Sequence, residues 1–204
     1  HNDLEHLESV LKSLPLERPK LILFESVYSM SGTISDIKAT CELAKKYNAL
    51  TFLDEVHAVG MYGEHGAGVA ERDGVADMVD IISGTLGKAY GVGGGYIVGS
   101  NNFVDCIRSY ASGFIFTTAI APVIAAGALA AVRHLSTSNF ERMMQQKRVA
   151  QLKALATARG LPVMDNPSHI VPIIVGDPVK CRELTDSLLH NHGIYLQPIN
   201  YPAV

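Results

Sequence analysis

Four short apolar runs divide the first half of the chain. They are Leu21–Phe24, Leu50–Leu53, Val79–Ile82 and Gly95–Val98. A continuous apolar run of this length, bounded by polar or turn residues, is typical of a strand inside a sheet. We therefore predict four strands, and we expect the first two to be buried on both faces.

Apolar residues at helical spacing occupy the segments between and after these runs. The predicted helices run from Asn2 or Asp3 to Leu14, from Ser35 or Asp36 to Lys46, from Asn101 or Asn102 to Ser109, from Ala119 to Leu135, from Phe140 to Arg159 and from Asp177 to His192. The helix from Ala119 is apolar enough to be expected inside the protein. Strands that alternate with helices predict an α/β fold with a largely parallel sheet.

The pattern changes after about residue 135. Ile170–Val175 is an apolar run interrupted by Pro172, so we predict an edge strand there, and Ile194–Leu196 is predicted to be extended. We expect a large α/β domain over residues 1–135 and the start of a smaller α+β domain over residues 136–204. The chain ends at Val204 without a closing helix, so we expect it to be a piece of a longer protein.

Composition narrows the classes of function. The chain has 204 residues, of which 48% are hydrophobic and 18% charged, as in soluble globular proteins. A net charge of -3 gives no basic surface for nucleic acid. Three distant cysteines predict neither a disulfide framework nor a zinc site. The longest apolar stretch, residues 119–132, contains Pro122 and is shorter than the roughly 20 residues that cross a bilayer, so no membrane contact is expected.

Lys88 is the most informative single residue. It follows the third predicted strand and is the only charged residue between Ile81 and Gly99. We therefore predict that it lies at a strand end and is partly desolvated. A lysine in that setting suits Schiff-base chemistry better than a role as a surface cation.

Polar residues follow three of the predicted strands, and the carboxyl ends of parallel strands meet at one edge of a sheet. They are Glu25, Ser26 and Ser29 after the first strand, Asp54 and His57 after the second, and Ser83, Thr85 and Lys88 after the third. A lysine beside an aspartate and a histidine matches the aldehyde, the ring nitrogen and the phenol oxygen of pyridoxal 5'-phosphate (PLP). An aspartate that keeps the pyridine nitrogen protonated makes the ring a strong electron sink.

Structural roles are the competing interpretations of these residues. Asp54 can cap the turn after its strand, His57 can be a core histidine, and Thr85 and Thr117 can be turn or strand residues. For Gly91–Gly95 a tight turn is the preferred interpretation. Nucleotide motifs fail, because the segment before Lys88 is too short for a P-loop and the glycines precede a strand instead of a helix.

These motifs resemble those of the α-oxoamine synthases, a branch of the fold-type-I PLP enzymes. The resemblance covers essentially the whole chain and is carried by residues 25–32, 52–60, 84–91, 112–118 and 199–202. The segments around Asp54 and Lys88 are shared across the branch. Glu55–Val56, Phe114–Thr118 and Ile199–Pro202 are similar to the members that use succinyl-CoA.

The resemblance implies a role for each candidate residue around the cofactor ring. Lys88 is expected to form the Schiff base with PLP and then to act as the general base. Asp54 is expected to pair with the ring nitrogen. His57 is expected to donate to the phenolic oxygen, with Ser29 near the same edge of the ring.

The resemblance also implies that the sites are shared between subunits. Thr85 is expected to bind the cofactor phosphate, and Thr117 is expected to reach the phosphate in the neighbouring subunit of an obligate homodimer. In the family, a ring-stacking histidine and acyl-CoA contacts precede the residue that matches His1, and a carboxylate-binding arginine follows the one that matches Val204. We therefore expect this chain to lack part of its own active site.

The implied activity is the condensation of glycine with succinyl-CoA to give 5-aminolevulinate, CoA and carbon dioxide. Two other hypotheses remain, a sibling acyltransferase such as glycine C-acetyltransferase and an inactive fragment that keeps only the scaffold. The presence of Asp54, His57 and Lys88 argues against a decayed site. The expected location is the mitochondrial matrix in a eukaryote or the cytoplasm in a bacterium.

Overall fold

A four-stranded sheet lies at the centre of the protein in the computed structural model, which describes residues 1–204. The strands β1 (Leu21–Glu25), β2 (Leu50–Asp54), β3 (Ile81–Thr85) and β4 (Gly95–Gly99) lie in that order across the sheet. β1, β2 and β3 run parallel, and β4 is antiparallel to β3. The prediction of four strands in a largely parallel sheet is confirmed.

Eight α-helices and one short 3-10 helix accompany the sheet. They are α1 (Leu4–Lys12), α2 (Ile37–Lys46), α3 (Val69–Arg72), the 3-10 helix Ala76–Met78, α4 (Asn101–Tyr110), α5 (Ser112–Ile115), α6 (Pro122–Thr137), α7 (Phe140–Ala158) and α8 (Pro178–His192). Asp3, Asp36 and Asp177 cap α1, α2 and α8 through their carboxylates. The predicted asparagine cap of α4 is wrong, because the Ser100 hydroxyl accepts the Phe103 amide instead. The short elements α3, α5 and the 3-10 helix were not predicted.

The core lies on one face of the sheet. Side chains of β1 and β2 such as Phe24 and Leu53 pack there against Ile37 and Cys41 of α2 and Leu11 of α1. Cores of this kind contribute about 25 cal/mol for each Å² of apolar surface removed from water. This packing stabilises β1 and β2 through one face of the sheet.

The other face of β1 is open. Leu21 and Leu23 are 57% and 68% exposed, so the prediction that this strand is buried on both faces is wrong for this chain. The burial alternates along β1 because α1 and α2 cover only one side of the sheet. No helix of the structure is both long and apolar enough to cross a membrane.

The second half of the chain differs more from the predictions. Helix α6 is largely exposed, with only Ala128 and Leu135 buried, against the expectation of a buried helix. Ile170–Val175 is not a strand: Ile173 forms a single bridge with Val163, and Pro172 has no amide hydrogen with which to extend the pairing. Ile194–Leu196 forms no strand either.

A hydrogen-bonded loop, residues 164–170, joins α7 to the sheet. The Lys153 ammonium donates to the carbonyls of Asn166 and Ser168 at 2.7 and 2.8 Å. The His169 amide donates to the Tyr62 hydroxyl at 3.1 Å, and the same hydroxyl lies 3.0 Å from Nδ1 of His169. Tyr62 belongs to the core beneath the sheet, so this contact anchors the loop to the first part of the chain.

The pKa of His169 predicts how stability depends on pH. Burial, with the nearby charges of His57 and Lys153, lowers this pKa from 6.5 to about 4. Between these values the unfolded chain binds a proton that the folded protein does not, so the free energy of unfolding falls as pH decreases from 6.5 toward 4. His169→Gln should therefore show a smaller loss of stability between pH 7 and pH 4.5 than the wild type, measured by denaturant unfolding. His192→Gln, which removes an exposed histidine, is the control, and equal pH slopes in all three proteins would contradict the prediction.

Candidate active site

Three paired residues of the parallel strands form one row of polar side chains, at the ends of β1 and β2 and at the third residue of β3. Glu25 pairs with Asp54, and Asp54 pairs with Ser83. Neighbouring strands lie about 4.8 Å apart, and paired residues point to the same face of a sheet. The three side chains therefore project from the open face, opposite the core that contains Phe24 and Leu53.

Asp54 keeps one carboxylate oxygen free. Its Oδ1 accepts the amide hydrogen of Val56 at 2.8 Å, so Asp54 does cap the turn after β2. Its Oδ2 has no hydrogen-bond partner within the chain, and the residue is half-buried. The turn-capping role and a ligand-binding role therefore use different oxygens of the same side chain.

Glu25 joins the residues predicted around the ring. Its Oε2 lies 3.4 Å from Nδ1 of His57 and accepts the amide hydrogen of Ser29 at 3.2 Å. The His57 side chain is 25% exposed, which does not fit the interpretation of a core histidine. Nδ1 of His57 faces Glu25, so Nε2 is the nitrogen that remains for another partner. The sequence analysis placed Glu25 at the strand end but gave it no role. The only feature of the sequence that pointed to such a role is that an acidic residue directly follows an apolar run.

Lys88 lies in a bend directly after β3, as predicted from the apolar run that precedes it. The prediction of partial desolvation is wrong for this chain, because Lys88 and its neighbours Gly87 and Ala89 are exposed. No element of the chain covers this bend. The lysine forms neither an ion pair nor a hydrogen bond with another side chain, and its backbone carbonyl accepts the Gly91 amide. Its side-chain nitrogen therefore has no partner within the chain.

Thr85 closes the loop that carries Lys88. Its hydroxyl accepts the Gly87 amide at 3.0 Å and lies 3.4 Å from the Gly94 carbonyl. Gly91 and Gly94 have φ values of +69° and +108°, which only glycine adopts without strain. These φ values support a conformational role for the glycines in the loop between β3 and β4, and Thr85 has a local structural role in the same loop.

Thr117 lies apart from the other candidates. It is exposed after α5, its amide donates to Phe114 O, and its hydroxyl has no partner within the chain. It does not cap α6, because Ala121 holds that position. The segment around it is apolar and open, with Phe116 85% exposed. The structure thus groups Ser29, Asp54 and His57 around Glu25, places Thr85 at the end of β3 and Lys88 in the bend after it, and leaves Thr117 outside the group.

Glu55 is a second acidic residue whose place sequence reasoning missed. It follows Asp54 directly, yet its side chain is completely buried beneath the open face. Burial raises the pKa of the Glu55 carboxyl, and hydrogen bonds from Ser26, Ala70 and Val69 oppose that rise. Two consecutive carboxylates therefore occupy opposite environments.

Known proteins with similar sequences include curated 5-aminolevulinate synthases. The chain is 58% identical over 204 residues to the 5-aminolevulinate synthase of Rhizobium meliloti (strain 1021), covering all of this chain and 50% of that protein. It is 58% identical over 205 residues to the mitochondrial 5-aminolevulinate synthase of Schizosaccharomyces pombe, covering all of this chain and 37% of that protein. The chain thus spans about half the length, or less, of the curated relatives it matches.

Solved structures agree with these relatives on the fold. A serine palmitoyltransferase from S. paucimobilis with a bound PLP–myriocin aldimine superposes with a TM-score of 0.94 at 30% identity, over all of this chain and 52% of that one. The predicted fold class, a fold-type-I PLP transferase fold with a mainly parallel sheet, is confirmed. The family model for aminotransferase class I and II matches residues 1–204, and the chain belongs to that family.

Proposed function

We propose that this chain is part of a PLP-dependent 5-aminolevulinate synthase, which condenses glycine with succinyl-CoA and releases CoA and carbon dioxide. The observation that carries the proposal is the position of two groups on neighbouring parallel strands: Asp54, which ends β2 and keeps one carboxylate oxygen unpaired, and Lys88, which follows β3. The high identity to curated 5-aminolevulinate synthases over the whole chain supports the choice of substrates.

The polar groups at the strand ends fit PLP. When bound, PLP supplies an aldehyde that condenses with an amine and a pyridinium ring that accepts electrons. The Lys88 amine would hold the aldehyde, Oδ2 of Asp54 would accept the ring N–H, and Nε2 of His57 would donate to the phenolic oxygen. Ser29 and Thr85 would contact the phenolic edge and the phosphate.

Each residue has a distinct task in this reaction. The negative charge of Asp54 would keep the ring nitrogen protonated through a charge-assisted hydrogen bond. The Lys88 amine would also act as the general base for the α-proton of glycine. Glu25 holds His57 by its Nδ1, which directs the other ring nitrogen toward the ligand.

The remaining parts of the proposal concern the whole protein. We assign residues 1–135 to a large PLP-binding domain and residues 136–204 to the start of a smaller one. The second candidate function is that of a sibling such as glycine C-acetyltransferase, and product analysis with acetyl-CoA and succinyl-CoA distinguishes the two. The location follows from the source organism, the mitochondrial matrix or the bacterial cytoplasm, and the S. pombe relative is a mitochondrial protein.

A homodimer with shared sites explains the exposed segment around Thr117. Phe114, Phe116 and Ile120 are 53%, 85% and 53% exposed, and together they form an apolar surface next to the unpaired Thr117 hydroxyl. Apolar surface of this kind is typical of interfaces between subunits. Ile120 lies near Gly94 of the Lys88 loop, so a partner that covers this surface would also approach Thr85, the residue proposed to contact the phosphate.

Lys88 is predicted to carry the cofactor covalently in the full-length protein. Borohydride reduction of the PLP-loaded protein followed by peptide mapping should label Lys88, because its amine is exposed and unpaired. Lys88→Ala should bind PLP only non-covalently and lose synthase activity. Label on Lys153 or any other lysine would show that the assignment is wrong.

Asp54→Asn is predicted to keep the cofactor and lose catalysis. The amide has the size of the carboxylate but no charge, so the ring nitrogen is no longer held protonated. The rate at which glycine loses its α-proton should fall by several orders of magnitude, about 10³-fold or more. Asp54→Glu should retain part of the rate. Proton exchange followed by NMR measures both, and a near-native rate in Asp54→Asn would refute the site.

Thr117 is predicted to serve the partner's site. In a mixed dimer of Thr117→Ala and Lys88→Ala subunits, one site would carry both substitutions and the other neither. Activity per mixed dimer should then reach about half of the wild-type value, since one intact site remains of two. If Thr117 serves its own subunit, mixing restores nothing beyond the residual activity of Thr117→Ala.

A further inference from the structure

The carboxylate of Glu55 is enclosed by hydrogen-bond donors. The residue is 0% exposed, and its Oε2 accepts from the Ser26 hydroxyl at 2.5 Å and from the Val69 amide at 3.1 Å. Its Oε1 accepts from the Ala70 amide at 2.7 Å. Every partner is a donor, which is the arrangement that an ionised carboxylate requires.

The donors come from two segments distant in sequence. Ser26 lies at the end of β1, while Val69 and Ala70 form the first turn of α3. Gly68 approaches so closely that a Cβ there would lie 2.6 Å from Cδ of Glu55. Glu55 therefore joins the ends of β1 and β2 to the start of α3, with no room for a side chain at position 68.

This junction is next to the candidate site on both strands. Ser26 is adjacent to Glu25, whose carboxylate contacts His57. On β2, Asp54 and Glu55 are consecutive, so their side chains point to opposite faces and the direction of one sets the direction of the other.

The backbone of Glu55 supports the same junction. Its amide donates to Ser83 O of β3 at 2.9 Å. Its carbonyl accepts the amides of Ala58 and Val59, at 2.8 and 2.9 Å, and thereby closes the turn that carries His57. The main chain and side chain of Glu55 thus connect the ends of β1 and β2, the middle of β3 and the turn that follows β2.

We propose that Glu55 is a positioning residue for Asp54 and His57, which acts by locking the ends of β1 and β2 to α3 so that both side chains face the cofactor. The proposal rests on the proposed function for the identity of the ligand. Glu55 itself touches neither substrate nor cofactor, since it lies beneath the open face.

Glu55→Gln in the full-length, PLP-loaded protein tests this role. The amide keeps an acceptor for one side of the junction but turns an N–H₂ toward a donor on the other, so the strand end shifts. A displacement of about 1 Å near reacting groups costs about 10²-fold in rate. We expect the cofactor to remain attached to Lys88, the pH dependence of its absorbance to move, and α-proton exchange of glycine to fall by about this factor.

Glu71→Gln is the matched control. Glu71 is an acidic residue of α3, and its carboxylate accepts the backbone amides of His65 and Ala67. It has no contact with Ser26 or β1. It should lower the melting temperature without moving the absorbance or the exchange rate. Ser26→Ala deletes a single donor to Glu55. It should change the absorbance and the exchange rate in the same direction as Glu55→Gln but by less, and it provides the test if Glu55→Gln does not fold.

Two outcomes separate the proposal from the function on which it rests. If Glu55→Gln and Ser26→Ala lower the melting temperature as Glu71→Gln does, with the wild-type absorbance at every pH, Glu55 is purely structural and the inference is wrong. If the wild-type protein does not attach PLP at Lys88, the proposed function itself fails, and that result is read without any Glu55 variant.

Discussion

The candidate site depends on the register of three parallel strands. Glu25, Asp54 and Ser83 lie side by side only because the last residues of β1 and β2 pair with each other and Asp54 pairs with Ser83, two residues before the end of β3. The ladder continues one step further, with the Ser26 amide donating to Asp54 O and the Glu55 amide to Ser83 O, both at 2.9 Å. A slip of one residue would send Asp54 into the core and Glu55 to the open face, because side chains alternate along a strand.

Much of the fold could be predicted from the sequence because its signals are local. Continuous apolar runs located all four strands, and Asp36 and Asp177 cap the helices that they precede. The boundaries of β3 were predicted less well, as Val79–Ile82 against the observed Ile81–Thr85. The difference arises because Ser83 and Thr85 are held in the sheet by pairing with β4, a contact that an apolar run does not encode.

Burial and distant contacts could not be predicted in the same way. An apolar run indicates that its side chains are buried in the folded protein, but not which element packs against them. Leu21 and Leu23 are exposed here, in a chain that spans about half the length of its relatives. The bond between Tyr62 and His169 joins residues 107 positions apart. No periodicity of the sequence reports such a pair, and the tyrosine and histidine are each common residues in other roles.

The contrast between Asp54 and Glu55 shows why residue type alone does not identify a site. Both are carboxylates at the end of the same strand, and a buried charge is tolerated only when donors replace the water it loses. Three donors do this for Glu55, and its acceptor capacity is used within the protein. Asp54 receives one backbone donor and keeps an oxygen at the open face. Side chains alternate between the two faces along a strand, so the register decides which acid supports the fold and which remains available to a ligand. The register itself cannot be read from the sequence alone.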